Sequence, residues 1–179
     1  MAILIIAGTF FLGFQLNELL FAALEHHRGA HWIFLPAGLR LLFVLVFGVR
    51  GIAGIFLGSA LVRTHAEQAL SFGILIESGI SAVALLLIYQ LALWRGMDPS
   101  LSNLRWQSLL ILSVGFGATS AFMHSLWFAS TGVATSFIES FFAMLVGDVV
   151  GTVLLIYIAK AVLAVLRRFN SGAGRPDLD

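Results

Sequence analysis

The sequence predicts an all-α, polytopic integral membrane bundle, and its composition and the length of its apolar stretches carry that prediction. Apolar residues make up 60% of the chain and charged residues 11%, with a mean hydropathy of +1.01. The apolar residues form long stretches, and about 20 such residues cross a bilayer as a helix. Within 179 residues, these spans leave no room for a soluble catalytic domain of about 100 residues. We predict one transmembrane domain over 1–168 and a flexible cytoplasmic tail over 169–179.

Six apolar segments, and so about six transmembrane segments, can be drawn along the chain. The second and third, 33–48 and 51–62, hold about 12 to 16 residues and reach only about 18–24 Å as helix, in a hydrocarbon core about 30 Å thick. Residues 33–62 therefore form either a short-helix hairpin buried in protein or one tilted span joined to a re-entrant piece. The longer segments are 2–24, 68–94, 107–129 and 136–166.

Basic residues orient the predicted bundle, because Lys and Arg in short loops concentrate on the cytoplasmic side of membranes. Six crossings with both termini inside leave only Arg28 and Arg63 on the outer side. The basic residues at the inner side are then Arg50, Arg95, Arg105, Lys160, Arg167, Arg168 and Arg175. We therefore expect a multi-pass protein in the lipid bilayer whose N- and C-termini both lie in the cytoplasm.

Composition and motif content exclude several function classes. The net charge of +1 and the scattered basic residues give no nucleic-acid footprint, so no nucleic-acid partner is predicted. The chain has no cysteine, which excludes disulfides, thiolate metal sites and cysteine nucleophiles. It also lacks a P-loop, an HExxH pair, a nucleophile elbow and a dinucleotide fingerprint. We predict that the protein is not an enzyme and has no catalytic or metal site.

Two acidic residues, Glu77 and Asp148, lie inside long apolar segments, where a carboxylate costs about 2.5–3.5 kcal/mol at the bilayer centre. Helical rise places Asp148 and Arg40 near the midplane and Glu77 roughly a third to half of the way in. One interpretation is structural: each acid bonds to neighbouring Ser, Thr or backbone, or pairs with Arg40, and so holds helices together. The other is a site for a ligand or a proton. We predict a ligand site here, with a carboxylate paired to Arg40.

The other ionisable residues of the outer half of the predicted bundle indicate a polar cavity that opens outward. Two of them, His124 and Glu139, join the predicted ligand site. His124 is expected near a membrane interface, where it caps a polar cluster, binds the metal of a haem or chlorophyll, or titrates as a pH sensor. These alternatives leave the cofactor undetermined. The remaining outer residues are Glu18, Glu25, His26, His27, His31, His65 and Glu67.

The run EHHRGAH at residues 25–31 places two histidines at a spacing that metal sites use. His27 and His31 would share one face if the segment were helical. However, Gly29 interrupts the segment and no third ligand accompanies the pair. We therefore predict a solvated outer loop here and not a metal site.

Three segments carry a recurring set of small and acidic residues. HWIFLPAGLRLLFVLVFGVRGIAGIFLG begins at residue 31 and holds Pro-Ala-Gly, a basic turn and an Ile-x-Leu-Gly stretch; FGILIESG holds Glu77, and MLVGDVVG holds Asp148 and Gly151. In this order the segments resemble the membrane-associated sensor domain of the first type, a multi-helix domain of bacterial signalling proteins. The resemblance implies a sensory or ligand-binding module of the bacterial cytoplasmic membrane with its C-terminus inside.

The chain departs from that family in two respects. Members usually carry a cytoplasmic kinase, diguanylate cyclase or phosphodiesterase after the last helix, whereas this sequence stops at Asp179. It also has Met144 and Leu145 where the family's pattern leads us to expect an aromatic residue before GDVVG. The first departure implies that a stand-alone version signals through a partner protein or does something other than signal.

Three functions fit a glycine-rich bundle with buried acids. The favoured one is a sensory module that recognises a small molecule or a proton at Arg40, Glu77 and Asp148, and whose helix packing then shifts. The second is a substrate-binding transport component similar to those of energy-coupling-factor importers. The third is an accessory subunit of a larger membrane complex that holds haem or chlorophyll through His124.

Overall fold

Six helices account for most of the chain in the computed structural model, which describes residues 1–27, 30–98, 106–132 and 136–172. The helices are α1 Ala2–Phe21, α2 Leu35–Phe47, α3 Val49–Glu67, α4 Phe72–Trp94, α5 Trp106–Thr131 and α6 Phe137–Gly172. A 3₁₀ turn at Ala22–Leu24 extends α1, and an antiparallel ribbon of β1 Glu25–His27 and β2 Ala30–His31 follows. The predicted all-α class is confirmed, and the ribbon is an unpredicted addition.

Four of the described helices contain segments long and apolar enough to cross a membrane. Helix α3 has 19 residues but carries Arg50, Arg63 and Glu67, and it is not one of the four. The four candidate spans are Ala2–Leu24, Phe72–Trp94, Gln107–Thr131 and Phe137–Val162. Large apolar side chains on these helices are exposed, Leu12 and Leu87 among them, which suits contact with a lipid bilayer. The helices therefore indicate a membrane protein.

The short helix α2 lies at the centre of the bundle and contacts all five of the other helices. The others pack against one another in the order α1, α3, α4, α5 and α6, and α6 also packs on α2. With 13 residues, α2 reaches only about 20 Å, too short to cross a bilayer. Most of its residues are buried, including Ala37, Leu41 and Val44. Because longer helices surround α2, its length does not have to match the thickness of the bilayer.

Helices α2 and α3 are joined by a single residue, Gly48, with φ +55° and ψ −130°. A residue with a side chain rarely adopts this positive φ, whereas glycine does so at little cost. The chain turns sharply here, and Gly51 comes against the backbone of Phe43 and Val44. Residues 33–62 thus form a helical hairpin, in which α2 is short as predicted, whereas α3 has 19 residues and continues beyond the predicted segment 51–62 to Glu67.

The start of α2 docks on α6 at a pair of glycines one turn apart, Gly147 and Gly151. A Cβ at Gly147 would overlap the carbonyl oxygen of His31, and one at Gly151 would overlap that of Phe34. The Phe34 N–H donates to the Gly147 carbonyl at 3.1 Å. Small residues at this spacing let two backbones approach closely. The docking places Asp148, which lies between the glycines, beside the start of α2.

Helix α1 holds the same end of α2 through a buried side chain. Asn17 is fully buried, and its Oδ1 accepts a hydrogen bond from the Leu35 N–H at 2.9 Å. The first N–H groups of a helix have no partner within the helix and need one from outside. Asn17 supplies that partner from α1.

Asn17→Ala is expected to lower the free energy of unfolding by about 1–2 kcal/mol, because it leaves the buried Leu35 N–H without an acceptor. Thermal unfolding of the detergent-solubilised protein would measure the change. Ser130→Ala is the control, since the exposed Ser130 hydroxyl donates within its own helix to the Trp127 carbonyl. Equal stability of the two variants would mean that the Asn17 bond contributes nothing.

Parts of some predicted features lie outside the described residues. Helix α6 continues past the predicted domain boundary at residue 168 to Gly172, and the rest of the predicted tail, 173–179, is not described. The same holds for residues 28–29 of the EHHRGAH run, for the inner-loop segment 99–105 and for 133–135.

Candidate functional site

A cavity of about 440 Å³ opens at the end of the bundle where α1 and α3 end. The sequence prediction assigns this end to the outside. The rim is formed by exposed residues, Gln15, Glu25, His65 and Glu67. The buried polar residues that line it are His31, Arg40, Ser59, His124 and Asp148. The structure thus brings together three of the five predicted ligand-binding residues, Arg40, His124 and Asp148, from helices α2, α5 and α6.

Arg40 projects from the second turn of α2 and is 6% exposed. Its guanidinium carbon lies 5.2 Å from the centre of the Phe10 ring and 5.0 Å from that of Phe34. Such cation–π contacts offset part of the cost of burying the charge. Its Nε is buried without a hydrogen-bond partner. The guanidinium therefore has an unused hydrogen-bond donor in a side chain that lines the cavity.

Asp148 faces the same cavity from α6 and is 3% exposed. It is close enough to Arg40 for the two charges to interact electrostatically. However, no ion pair within the described part of the chain joins them, and Asp148 Oδ2 is buried without a hydrogen-bond partner. The prediction that a carboxylate pairs directly with Arg40 is therefore wrong for Asp148. Two opposite charges face one cavity without contact.

His124, on α5, is 1% exposed and lines the base of the cavity. Its Nε2 is 3.1 Å from the Ser81 hydroxyl of α4, whereas its Nδ1 is buried without a partner. Neighbouring helices cover the ring, and the predicted position near a membrane interface stays a prediction. The described residues contain no group of three or more His, Asp or Glu side chains that would hold a metal ion.

Glu77 does not line the cavity. Its carboxylate forms an ion pair with Arg63 of α3 and accepts a hydrogen bond from Trp127 Nε1 of α5 at 3.0 Å. Both charged side chains are largely buried, Arg63 at 21% and Glu77 at 15% exposure. The partner of Glu77 is therefore Arg63 and not Arg40. The ion pair joins α3 to α4, and the hydrogen bond joins α5 to α4. These contacts agree with the structural interpretation of Glu77.

The ion pair of Arg63 and Glu77 could have been predicted from the sequence, although the sequence analysis missed it. Arg63 lies little more than one turn before the end of α3, and Glu77 lies little more than one turn after the start of α4. Residues 68–71 connect these two helices. Antiparallel neighbours joined by a short turn place such residues at the same depth. Equal distance from a predicted turn is the signal that identifies the pair.

Glu139 lies in the first turn of α6, away from the cavity, and is exposed. Its N–H donates to the Ser136 hydroxyl at 3.3 Å. An acidic residue in the first turn interacts favourably with the helix dipole. The structure therefore separates Glu139 from Arg40, His124 and Asp148.

His31, one of the outer residues from which a polar cavity was predicted, lines the cavity. It is 3% exposed, its ring stacks on Phe34 with centroids 5.5 Å apart, and its Nε2 lies 3.3 Å from Glu18 Oε1. The prediction of a solvated loop is wrong for His31, because the β ribbon packs it against α1 and α6. The side chains of His26 and His27 lie outside the described part.

Comparisons with protein-family models, with curated proteins and with solved structures found no match to this chain. The resemblance to the sensor domain therefore stays a prediction. The case for a function rests on the cavity.

Proposed function

We propose that this protein is a membrane-embedded sensory module that binds a small polar molecule in the cavity. The observation that carries the proposal is the convergence of three buried ionisable side chains, Arg40, His124 and Asp148, on one cavity. Each has a buried polar atom without a hydrogen-bond partner. Native proteins leave few such atoms unsatisfied. A bound polar ligand would satisfy them.

The size and shape of the cavity support the proposal. Its volume of about 440 Å³ is within the range of about 300–1,000 Å³ typical of small-molecule sites. Aromatic side chains, Phe10, Phe14 and Phe34, line it together with the polar groups. Apolar walls with a few convergent polar groups are the usual composition of a ligand pocket.

A signal would pass along α6. A ligand that contacts Arg40 on α2 and Asp148 on α6 favours the packing of these two helices that suits it best. Helix α6 continues beyond its candidate span, which ends at Val162, to Gly172. In the proposed orientation this end lies in the cytoplasm of a bacterium, where a partner protein reads the shift.

Native mass spectrometry of the gently solubilised protein tests this function, with Asp148→Asn as the critical variant. The wild type is expected to retain a small molecule. Asp148→Asn is expected to retain it about 10- to 100-fold less tightly, since a hydrogen bond to a charged group contributes about 1.5–3 kcal/mol.

Glu139→Gln is the matched control, because it neutralises an exposed acid on the same helix outside the cavity. It should retain the molecule as the wild type does. Equal retention by Asp148→Asn and the wild type, with both folded, would contradict the proposed site. So would a wild type that neither retains a molecule nor is stabilised by any compound in a metabolite panel.

A further inference from the structure

We infer that the ligand is a compact zwitterion of amino-acid size, with its anionic group at Arg40 and its ammonium group at Asp148. This inference rests on the proposed function and names the class of molecule that the cavity takes. Its basis is the relation between the two charges. Arg40 and Asp148 lie on different helices and face one cavity, yet no ion pair within the described residues joins them.

Ligands of a single charge leave one of the two residues uncompensated. An anion at Arg40 would lie close to Asp148, which would then either stay charged beside a like charge or have to take up a proton. A cation at Asp148 would lie close to Arg40, which cannot lose its charge. A buried charge without a partner is strongly unfavourable. A molecule that carries both charges compensates both side chains at once.

The surroundings of Arg40 suit a carboxylate. The Phe10 and Phe34 rings lie against its guanidinium, which limits the positions from which a ligand can approach. A guanidinium presents its N–H donors in a plane, and a carboxylate accepts two of them side by side. Ser59 Oγ and His124 Nδ1, which are buried at the same base without partners, can form hydrogen bonds that orient the rest of the ligand.

Titration calorimetry on the full chain in phosphatidylcholine nanodiscs tests the inference with three matched sets of probes. The first is a panel of L-amino acids, the second their deaminated carboxylates, and the third their decarboxylated amines. At least one amino acid is expected to bind about tenfold or more tightly than both of its analogues. Asp148→Asn should reduce the difference in affinity between the amino acid and its carboxylate analogue. Arg40→Gln should reduce the difference in affinity between the amino acid and its amine analogue.

The outcomes separate the inference from the proposed function. If a carboxylate or an amine alone binds as tightly as the amino acid and Asp148→Asn or Arg40→Gln weakens it, the cavity is a ligand site and the zwitterion assignment is wrong. If no probe binds and native mass spectrometry finds no retained molecule, both are wrong. Competition by added phosphatidylethanolamine, whose headgroup carries the same two charges, would support the zwitterion chemistry and identify a lipid as its source.

Discussion

Gly151→Ala is expected to lower the free energy of unfolding by about 3 kcal/mol, at the upper end of the usual cost of overpacking a core. A Cβ at this position would overlap the backbone of Phe34 and Leu35, and backbone cannot rotate away as a side chain can. The start of α2 would have to leave α6, and α2 is the helix on which all the others pack. Gly147→Ala, which meets the His31 carbonyl, should act in the same way.

Gly79→Ala is the matched control for both variants. A Cβ at Gly79, inside α4, would meet nothing within 4 Å, so it should leave stability unchanged or raise it by up to about 1 kcal/mol through helix propensity. Chemical unfolding in detergent micelles measures all three. Because Asp148 lies between the two docking glycines, the Gly147 and Gly151 variants should also weaken ligand retention. Equal stability of Gly151→Ala and Gly79→Ala would contradict the close contact between the start of α2 and α6.

Glu77→Gln is expected to lower the free energy of unfolding by about 2 kcal/mol or more, because it leaves the largely buried Arg63 without its carboxylate. The partial exposure of both side chains keeps the expected cost below the 3–5 kcal/mol typical of fully buried pairs. Trp127→Phe removes the indole N–H that donates to Glu77, which should cost about 1 kcal/mol, and the lost ring volume adds to that cost.

A double-mutant cycle separates the ion pair from general damage to the helices. The double variant Arg63→Met with Glu77→Met replaces the pair by apolar side chains of similar length, which is often neutral for a buried pair. It should be more stable than the sum of the two single substitutions predicts. Additive losses would mean that Arg63 and Glu77 do not stabilise each other.

The helical class and the approximate limits of the six helices were predictable from the sequence. The predicted segments 68–94 and 107–129 correspond to α4 Phe72–Trp94 and α5 Trp106–Thr131. This succeeds because the length and apolar character of a stretch are local properties of the chain, and they decide whether a helix forms in a membrane. Asp148 could also be identified as a candidate site residue from its position in an apolar stretch, since any acid in such a stretch needs a partner.

Which residues become partners was decided only by the tertiary structure. The sequence predicted that Arg40 pairs with an acid. In the structure Glu77 pairs with Arg63, and both Arg40 and Asp148 line a cavity. His31 was expected in solvent, but its ribbon is held over the bundle by Gly147, more than 100 residues further along the chain. Pairing and burial depend on which helices lie side by side. That arrangement follows from close contacts between distant small residues, and hydropathy along the chain does not encode it.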